Sequence, residues 1–182
     1  EEIWSRNFTN LFIAPLKLKE IIVALIFTAL VRTLIGLVPA ILLTSPLFGV
    51  SILNLGLPLI LLFLSLYIFG ITLGLFVSAG LIRFGPSFEN IAWSSLFLLA
   101  PLGCIYYPIE ILPNFFQIIA KSLPLVYIFD EARNILLNGF VNYENLRQAY
   151  YLNLAYLAFG IFLFYSSFLK ARIKGTLINM GE

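Results

Sequence analysis

The sequence predicts an all-α, polytopic bundle of transmembrane helices, and three observations support this prediction. Hydrophobic residues make up 61% of the 182-residue chain. Charged residues make up 11%, against about 25% in ordinary soluble domains. Residues 101–139, here named the central segment, carry four of the nine prolines, which interrupt the segment too often for one membrane span. We therefore expect four spans in this sequence, with a pair of short helices between the third and the fourth.

The four predicted spans follow the long apolar runs, because a helix needs about 20 mostly apolar residues to cross the hydrocarbon core. Their approximate bounds are 21–45, 58–82, 90–108 and 149–169. The first run continues beyond its span, and Pro39 and Pro46 predict that its helix kinks or ends there, so that the span could instead lie nearer 33–53. Arg32 in this run either reaches the headgroups or lines an ion pathway.

Small residues recur on one face of the second predicted span. Gly70, Gly74 and Ser78 are four residues apart, a spacing that lets two helices approach closely. This pattern predicts either packing within one subunit, which is the commoner case, or a contact between two copies of the chain.

Basic residues predict the orientation, because they concentrate in the cytoplasmic loops of membrane proteins. Three of them fall on one side of the predicted spans: Lys121, Arg133 and Arg147. Seven fall on the other side: Arg6, Lys17, Lys19, Arg83, Lys170, Arg172 and Lys174. This asymmetry predicts a multi-pass protein of the cell membrane, with both ends of the sequence in the cytoplasm and residues 110–146 outside.

Prolines divide the central segment into two predicted helices. Pro113 starts the first helix, Pro124 ends it and starts the second, and Gly139 can close the second as a left-handed cap. Each helix has roughly 10–15 residues, or about 15–22 Å, which is too short to cross a bilayer. The segment is therefore either a re-entrant helix pair at residues 110–139 or an amphipathic hairpin on the membrane surface.

Apolar residues also recur at helical spacing near the start of the sequence. Trp4, Phe8, Leu11 and Phe12 predict an amphipathic helix within residues 1–18 that stops near Pro15. This helix either lies on the membrane surface or docks on a soluble partner.

The composition excludes several kinds of site. There is no histidine, so no histidine base or histidine metal site is available. Cys104 is the one cysteine, which rules out an internal disulfide and a cysteine metal cluster, and we interpret it as a small packing residue. The net charge of +2 gives no reason to expect binding to nucleic acid. We predict no catalytic residue, metal or cofactor in this chain.

Three sequence patterns follow one another in a fixed order. The first precedes a span and reads EE-x-W-S-R-N-x-x-N-L-x-x-A-P-L-K-L-K-E. The second ends a later span and reads Y-P-I-E-x-L-P, and the third follows as L-P-L-V-Y-x-x-D-E-A-R. Together they resemble the membrane subunit, or permease, of ABC transporters of the ABC-2 exporter type. The resemblance covers essentially the whole chain, and the two-proline segment that ends at Ala132 and Arg133 is its most specific part.

The resemblance implies six spans in the full protein, so we expect this sequence to be an N-terminally truncated fragment. It implies that residues 1–18 are the coupling helix that docks on an ATPase subunit, with Trp4, Phe8, Leu11 and Phe12 as docking residues. It implies that the two short helices are re-entrant and form an extracytoplasmic gate, for which the candidate residues are Pro108, Glu110, Pro113, Pro124, Asp130, Glu131 and Arg133.

The resemblance also implies the partners. A second permease copy would complete a homodimer in the lipid bilayer. ATP and magnesium would be bound by the ATPase subunit, because the phosphate-binding pattern G-x-x-x-x-G-K-[ST] is absent from this sequence.

Two other functions remain open from the residues alone. An intramembrane enzyme, such as a lipid-modifying transferase or a protease, would use Glu110, Asp130 and Glu131 as its acids. A passive channel would need no partner. Asp130 and Arg133 are three residues apart and are expected to pair on one helix face, which favours a structural role for these charges.

Overall fold

The computed structural model describes residues 18–49 and 52–174, and this part of the chain is helical, with no β-strand. The helices are α1 Leu18–Phe48, α2 Leu57–Phe84, α3 Phe88–Leu102, α4 Asn114–Ala120, α5 Pro124–Asn138 and α6 Tyr143–Lys174. Short 3-10 turns lie at Ile52–Leu55 and Ile109–Ile111. The predicted docking residues Trp4, Phe8, Leu11 and Phe12 lie outside the described residues.

Three helices are long and apolar enough to cross a membrane: Ile22–Leu47, Leu57–Phe84 and Tyr143–Ile173. They correspond to the first, second and fourth predicted spans, and they indicate a membrane protein.

The third predicted span, 90–108, corresponds to α3, which has 15 residues and ends at Leu102. This helix is about 22 Å long, which is less than the hydrocarbon core requires. It ends early because Pro101 has no backbone N–H and because Cys104 takes a left-handed conformation with φ 53°. The count of four spans therefore stays a prediction.

Two prolines lie inside α1. We expected the helix to kink or end at Pro39 or Pro46, and it ends at Phe48, shortly after the second. Each proline removes one backbone donor, and a membrane helix tolerates this when nearby groups compensate. Thr44 Oγ1 donates to the Ile41 carbonyl at 2.7 Å between the two prolines, and the Gly49 N–H donates to the Ser45 carbonyl at 2.9 Å.

The chain divides into two units, and residues 54–167 form the one that contains the central segment. Within this unit α5 packs on two buried clusters. In the first, Ile128 packs with Leu62 of α2 and with Leu146 and Ala149 of α6. The second cluster brings together Cys104, Ala120 and Val126, which come from the end of α3, from α4 and from α5. Helix α5, which is too short to span a membrane, therefore contributes a residue to each of these clusters.

Polar side chains join α2 to α6. Tyr150 Oη donates to the Leu61 carbonyl at 2.7 Å. Asn153 is fully enclosed, and its Nδ2 donates to the Ser65 carbonyl at 3.0 Å and to Ser65 Oγ at 2.8 Å. An apolar environment supplies no water to these polar groups, so they bond to each other across the two helices. Because each bond joins fixed positions, the bonds set the register of α2 against α6.

The small residues predicted to pack helices together are not the ones that do so here. A Cβ added at Gly70 or Gly74 would meet nothing within 4 Å. At Gly160 of α6, by contrast, an added Cβ would lie 3.3 Å from the ring of Phe76 and 3.6 Å from the Thr72 carbonyl. The close approach of α2 and α6 therefore uses a glycine on α6. Gly70 and Gly74 make no such approach within residues 54–167, and a contact between two copies of the chain stays a prediction.

Candidate functional site

The candidate site is a group of polar side chains at the C-terminal half of α5, here named the polar cluster. It consists of Asp130, Glu131 and Arg133 on α5, and of Asn142 and Asn145 at the start of α6. The bounds of α5 agree with the sequence prediction: the helix begins at Pro124 and ends where Gly139 takes the left-handed conformation, with φ 74°. The Gly139 N–H donates to the Ile135 carbonyl at 3.0 Å, which closes the last turn.

Glu131 is the most deeply placed member of the polar cluster, with an exposed fraction of 0%. Its Oε1 accepts a hydrogen bond from the Asn142 backbone N–H at 2.7 Å, and its Oε2 accepts one from Asn145 Nδ2 at 3.2 Å. Asn145 Nδ2 also lies 3.3 Å from Asp130 Oδ2. A buried carboxyl group is tolerated only when its oxygens are hydrogen-bonded, and here both oxygens connect α5 to the start of α6.

Arg133 makes the corresponding connection on the other side of α5. Its Nη1 donates to the backbone carbonyl of Cys104, beyond the end of α3, at 2.8 Å. Its Nη2 lies 3.6 Å from Asp130 Oδ1, so the ion pair predicted from the three-residue spacing is confirmed. The same Nη2 is buried and has no hydrogen-bond partner among the described residues. The ion pair with Asp130 is therefore the interaction that offsets the cost of burying this nitrogen.

The backbone of α3 is close enough for this contact because residue 103 is a glycine. A Cβ at Gly103 would lie 2.8 Å from the Leu99 carbonyl oxygen, 2.9 Å from Leu125 Cδ1 and 3.1 Å from Leu125 Cβ, so a side chain there would require the backbone and Leu125 to shift. Leu125 therefore packs directly on the backbone at the end of α3, and α5 follows that end closely enough for Arg133 to reach the Cys104 carbonyl.

The Cys104 thiol is fully buried beside this contact, as expected for a small packing residue. Burial raises the pKa of the Cys104 thiol, and the nearby Arg133 opposes that shift with a smaller effect. The thiol therefore stays protonated in neutral solution, which suits packing and not nucleophilic chemistry.

The predicted gate residues fall into two groups. Pro124, Asp130, Glu131 and Arg133 all belong to α5, where Pro124 and Glu131 are buried and Asp130 and Arg133 are partly exposed. Pro108, Glu110 and Pro113 lie in the exposed connection between α3 and α4. The first group shares one helix, and the connection that carries the second group packs against Cys104 and Val126 through Ile109 and Leu112.

Sequence reasoning missed the residues that hold the first group in place. The sequence pattern predicts no role for Asn142 or Asn145, yet the backbone N–H of Asn142 and the side-chain amide of Asn145 bind Glu131. The sequence did contain a signal for the contact between α2 and α6. Asn153 is an amide inside an apolar span, and such a side chain is expected to bond to a neighbouring helix. The Cys104 carbonyl left no signal, because a backbone acceptor is common to all residues.

The side chains of the polar cluster are engaged with one another and with neighbouring helices. No group of three or more histidine, cysteine, aspartate or glutamate side chains is placed to hold a metal within residues 18–49 and 52–174. Both oxygens of Glu131 are hydrogen-bonded and enclosed, and Glu110 is exposed. What the polar cluster does is to fasten one non-spanning helix to two neighbouring helices.

Comparisons with protein-family models, with curated proteins and with solved structures find no match for this chain.

Proposed function

We propose that this chain is the permease subunit of an ATP-driven ABC exporter of the ABC-2 type, and that α5 is the mobile element of its extracytoplasmic gate. The three ordered sequence patterns and the three long apolar helices support this proposal. Energy would enter through a separate ATPase subunit docked on Trp4, Phe8, Leu11 and Phe12. A second permease copy would complete the substrate pathway.

The observation that carries the gate is the double attachment of α5. Arg133 joins it to the end of α3, and Glu131 joins it to the start of α6. A gate needs two discrete arrangements, and the bonds of Arg133 and Glu131, together with the packing of Val126 and Ile128, define one of them for α5. Displacement of α5 would also release the packing of Ile128 on Leu62 of α2 and on Leu146 of α6.

The test of the export function uses proteoliposomes that contain the full-length protein, with and without a co-expressed ABC ATPase. We expect vectorial transport that requires both the ATPase and ATP, and we expect Phe8→Asp to abolish association with the ATPase while the spans stay folded. Ion conductance without the ATPase would show a passive channel instead. Lipid or peptide turnover without the ATPase would show an intramembrane enzyme.

The test of the gate compares two arginines. Arg133→Ala removes the bond to the Cys104 carbonyl, whereas Arg147→Ala removes an exposed ion pair with Glu144 at 2.7 Å. We expect Arg133→Ala to lower ATP-dependent export or to raise passive leak of an entrapped dye, with the ATPase complex retained, and Arg147→Ala to leave both unchanged. Wild-type export and leak in Arg133→Ala and in Pro124→Ala would contradict the gate and favour a hairpin on the membrane surface.

A further inference from the structure

Helix α5 is attached to its neighbours along two sides. One of them, here named the α3 seam, brings Leu125, Val126 and Arg133 of α5 against Gly103 and Cys104, which lie just beyond the end of α3. The other side of α5 meets α2 and α6. The two sides differ in their hydrogen bonds, their backbone and their packing, and these differences indicate which side separates more readily.

The hydrogen bonds of the α3 seam are incomplete. Arg133 Nη1 donates to the Cys104 carbonyl at 2.8 Å, but Nη2 is buried without a hydrogen-bond partner among the described residues. Asp130 Oδ1, at 3.6 Å from Nη2, balances the charge but is too distant for a hydrogen bond. A buried donor that makes no hydrogen bond costs free energy. Separation of the α3 seam would let Nη2 reach water, so it would remove this cost.

The backbone at the α3 seam is also strained. Cys104 has φ 53°, and within residues 18–49 and 52–174 it is the one residue other than glycine with a positive φ. A side chain disfavours this left-handed conformation, which persists only where the surrounding structure holds it. The carbonyl of Cys104 is the acceptor of Arg133, so the strained residue and the bond that holds it belong together. Separation of the seam would leave Cys104 free to take an ordinary conformation.

The attachment of α5 to α6 has neither of these costs. Glu131 is fully enclosed, and its two carboxylate oxygens accept from the Asn142 N–H at 2.7 Å and from Asn145 Nδ2 at 3.2 Å. Separation on this side would strip a buried carboxylate of both donors, which is expensive. The backbone adds a further restraint, because α5 ends at Asn138 and α6 already begins at Tyr143.

Packing differs between the two sides in the same direction. Ile128 is 1% exposed and packs with Leu62 of α2 and with Leu146 of α6, so large apolar side chains meet there. At the α3 seam, Leu125 lies against Gly103, which has no side chain to pack with it. The chain between α3 and α5 contains the whole of α4, and a connection of this length allows the two helices to move apart.

We infer that α5 separates from the end of α3 along the α3 seam while it keeps its bonds and its packing with α2 and α6. For its role in export this inference rests on the gate proposed above: the gate opens between α3 and α5, and Arg133 holds it closed. Opening at the seam leaves the packing of Ile128 intact, which displacement of α5 as a whole would not. The separation itself requires no ATPase, so it is tested without one.

The experiment compares the rates at which two buried thiols beside α5 react with N-ethylmaleimide, because a buried thiol reacts when local opening exposes it. The first thiol is Cys104 at the α3 seam, and the second is Ala149→Cys in a Cys104→Ala background. Both positions have an exposed fraction of 0%, and Ala149 belongs to the cluster of Ile128. The full-length protein, with any other cysteine replaced by serine, is reconstituted into phosphatidylcholine vesicles. Each thiol is measured alone, with Arg133→Ala, and with Arg147→Ala as the exposed control.

We expect Cys104 to react severalfold faster than Ala149→Cys. Arg133→Ala should raise the rate at Cys104 severalfold further and leave the rate at Ala149→Cys unchanged, and Arg147→Ala should change neither. A rate at Cys104 no higher than that at Ala149→Cys would overturn the inference. An equal rise at both positions in Arg133→Ala would overturn it too, since α5 would then leave all its neighbours together.

The thiol of Cys104 also lies beside α4, through Ala120, and the arginine substitution separates the two movements. A rate at Cys104 that Arg133→Ala does not change would show that departure of α4 exposes the thiol, and would overturn the inference. Because the assay contains no ATPase, its outcome does not depend on transport. A protein that gives the expected rates but no ATP-dependent transport would support the seam and contradict the export function.

Discussion

Helices α4 and α5 follow each other in the central segment, and each begins beside a proline, yet their apolar residues face opposite ways. In α4, Phe115 and Ile118 are exposed and Ala120 is buried. In α5, Leu125, Val126 and Ile128 are buried, and the exposed apolar residues, such as Leu137, come only near its end. Two short segments with the same local signals thus have opposite surroundings.

The difference shows that distant contacts, and not local composition, decide where each helix lies. α5 bonds to the end of α3 through Arg133 and to the start of α6 through Glu131. The side-chain bond of α4, from Gln117, returns to Leu112 in its own connection. We therefore expect α5 to be sensitive to substitution and α4 to be tolerant, as long as the bilayer is intact.

The largest expected difference comes from one substitution made in both helices. Ile128 is 1% exposed and packs with Leu62 and Leu146, whereas Ile118 is 74% exposed. Ile128→Ala should lower the free energy of unfolding by about 2–4 kcal/mol, because it leaves a cavity. Ile118→Ala should change it by less than about 0.5 kcal/mol. Unfolding of the purified protein in detergent micelles, by heat or by SDS titration, measures both.

Detergent is the suitable medium because micelles cover an exposed apolar face as lipid does. Equal losses from the two substitutions would mean that Ile118 is covered by protein in the folded state. That result would remove the contrast between the helices.

The sequence predicts the start of α4 and both bounds of α5 because the signals are local, whereas α4 has 7 residues and ends at Ala120, before the end predicted at Pro124. Pro113, Pro124 and Gly139 act on the backbone at their own positions, so the start of α4 and both ends of α5 follow from them. The three long apolar helices follow from composition alone. The Asp130 and Arg133 pair follows from the helical repeat once the helix is assigned.

The sequence could not predict what depends on the approach of separate elements. The Cys104 carbonyl accepts from Arg133 only because Gly103 lets Leu125 lie against the end of α3. Asn142 and Asn145 bind Glu131 only because the turn after Gly139 brings α6 back beside α5. The apolar run continues to residue 107, so hydropathy predicted a longer α3. The helix ends at Leu102 because Pro101 lacks a backbone N–H and Cys104 takes a left-handed conformation.

A second comparison uses two adjacent acids of α5. Glu131→Gln replaces one acceptor oxygen with an amide that faces the N–H of Asn142 or the amide of Asn145, so one buried donor loses its partner. This should lower the free energy of unfolding by about 1–3 kcal/mol. Asp130→Asn alters a side chain that is 45% exposed, and it should cost less than about 1 kcal/mol.

The same unfolding titration in detergent distinguishes the two acids, and hydrogen exchange of the Asn142 amide gives a local reading. Faster exchange at Asn142 in Glu131→Gln, but not in Asp130→Asn, is expected because the Asn142 N–H bonds only to Glu131 Oε1 among the described contacts. A larger loss of stability in Asp130→Asn would show that the ion pair with Arg133, and not the bond to Asn142, holds α5 in place.

The smallest expected effect is at Cys104, where α4 and α5 meet through Ala120 and Val126. Only the thiolate reacts with a maleimide, and burial both encloses this thiol and raises its pKa. The control protein carries Ser122→Cys in a Cys104→Ala background, so its one engineered thiol lies at an exposed position. At neutral pH, labelling of Cys104 in the folded wild-type protein should be much slower than labelling of this control.

The pKa of Cys104 is higher in the folded than in the unfolded protein, so the folded state binds this proton more tightly. The contribution to stability is therefore fully present below the unfolded pKa, near pH 8.5, and is lost as pH rises through the higher folded value. The wild-type protein should lose slightly more stability than Cys104→Ala when thermal unfolding in detergent is compared at pH 7 and pH 10, and the other groups that titrate in this range are common to both proteins.

If α4 leaves its place readily, Cys104 becomes accessible, so rapid labelling at pH 7 would show that Ala120 does not hold α4 against the thiol. Slow labelling in vesicles but rapid labelling in detergent would instead show that the bilayer, acting on the exposed face of α4, keeps Cys104 covered.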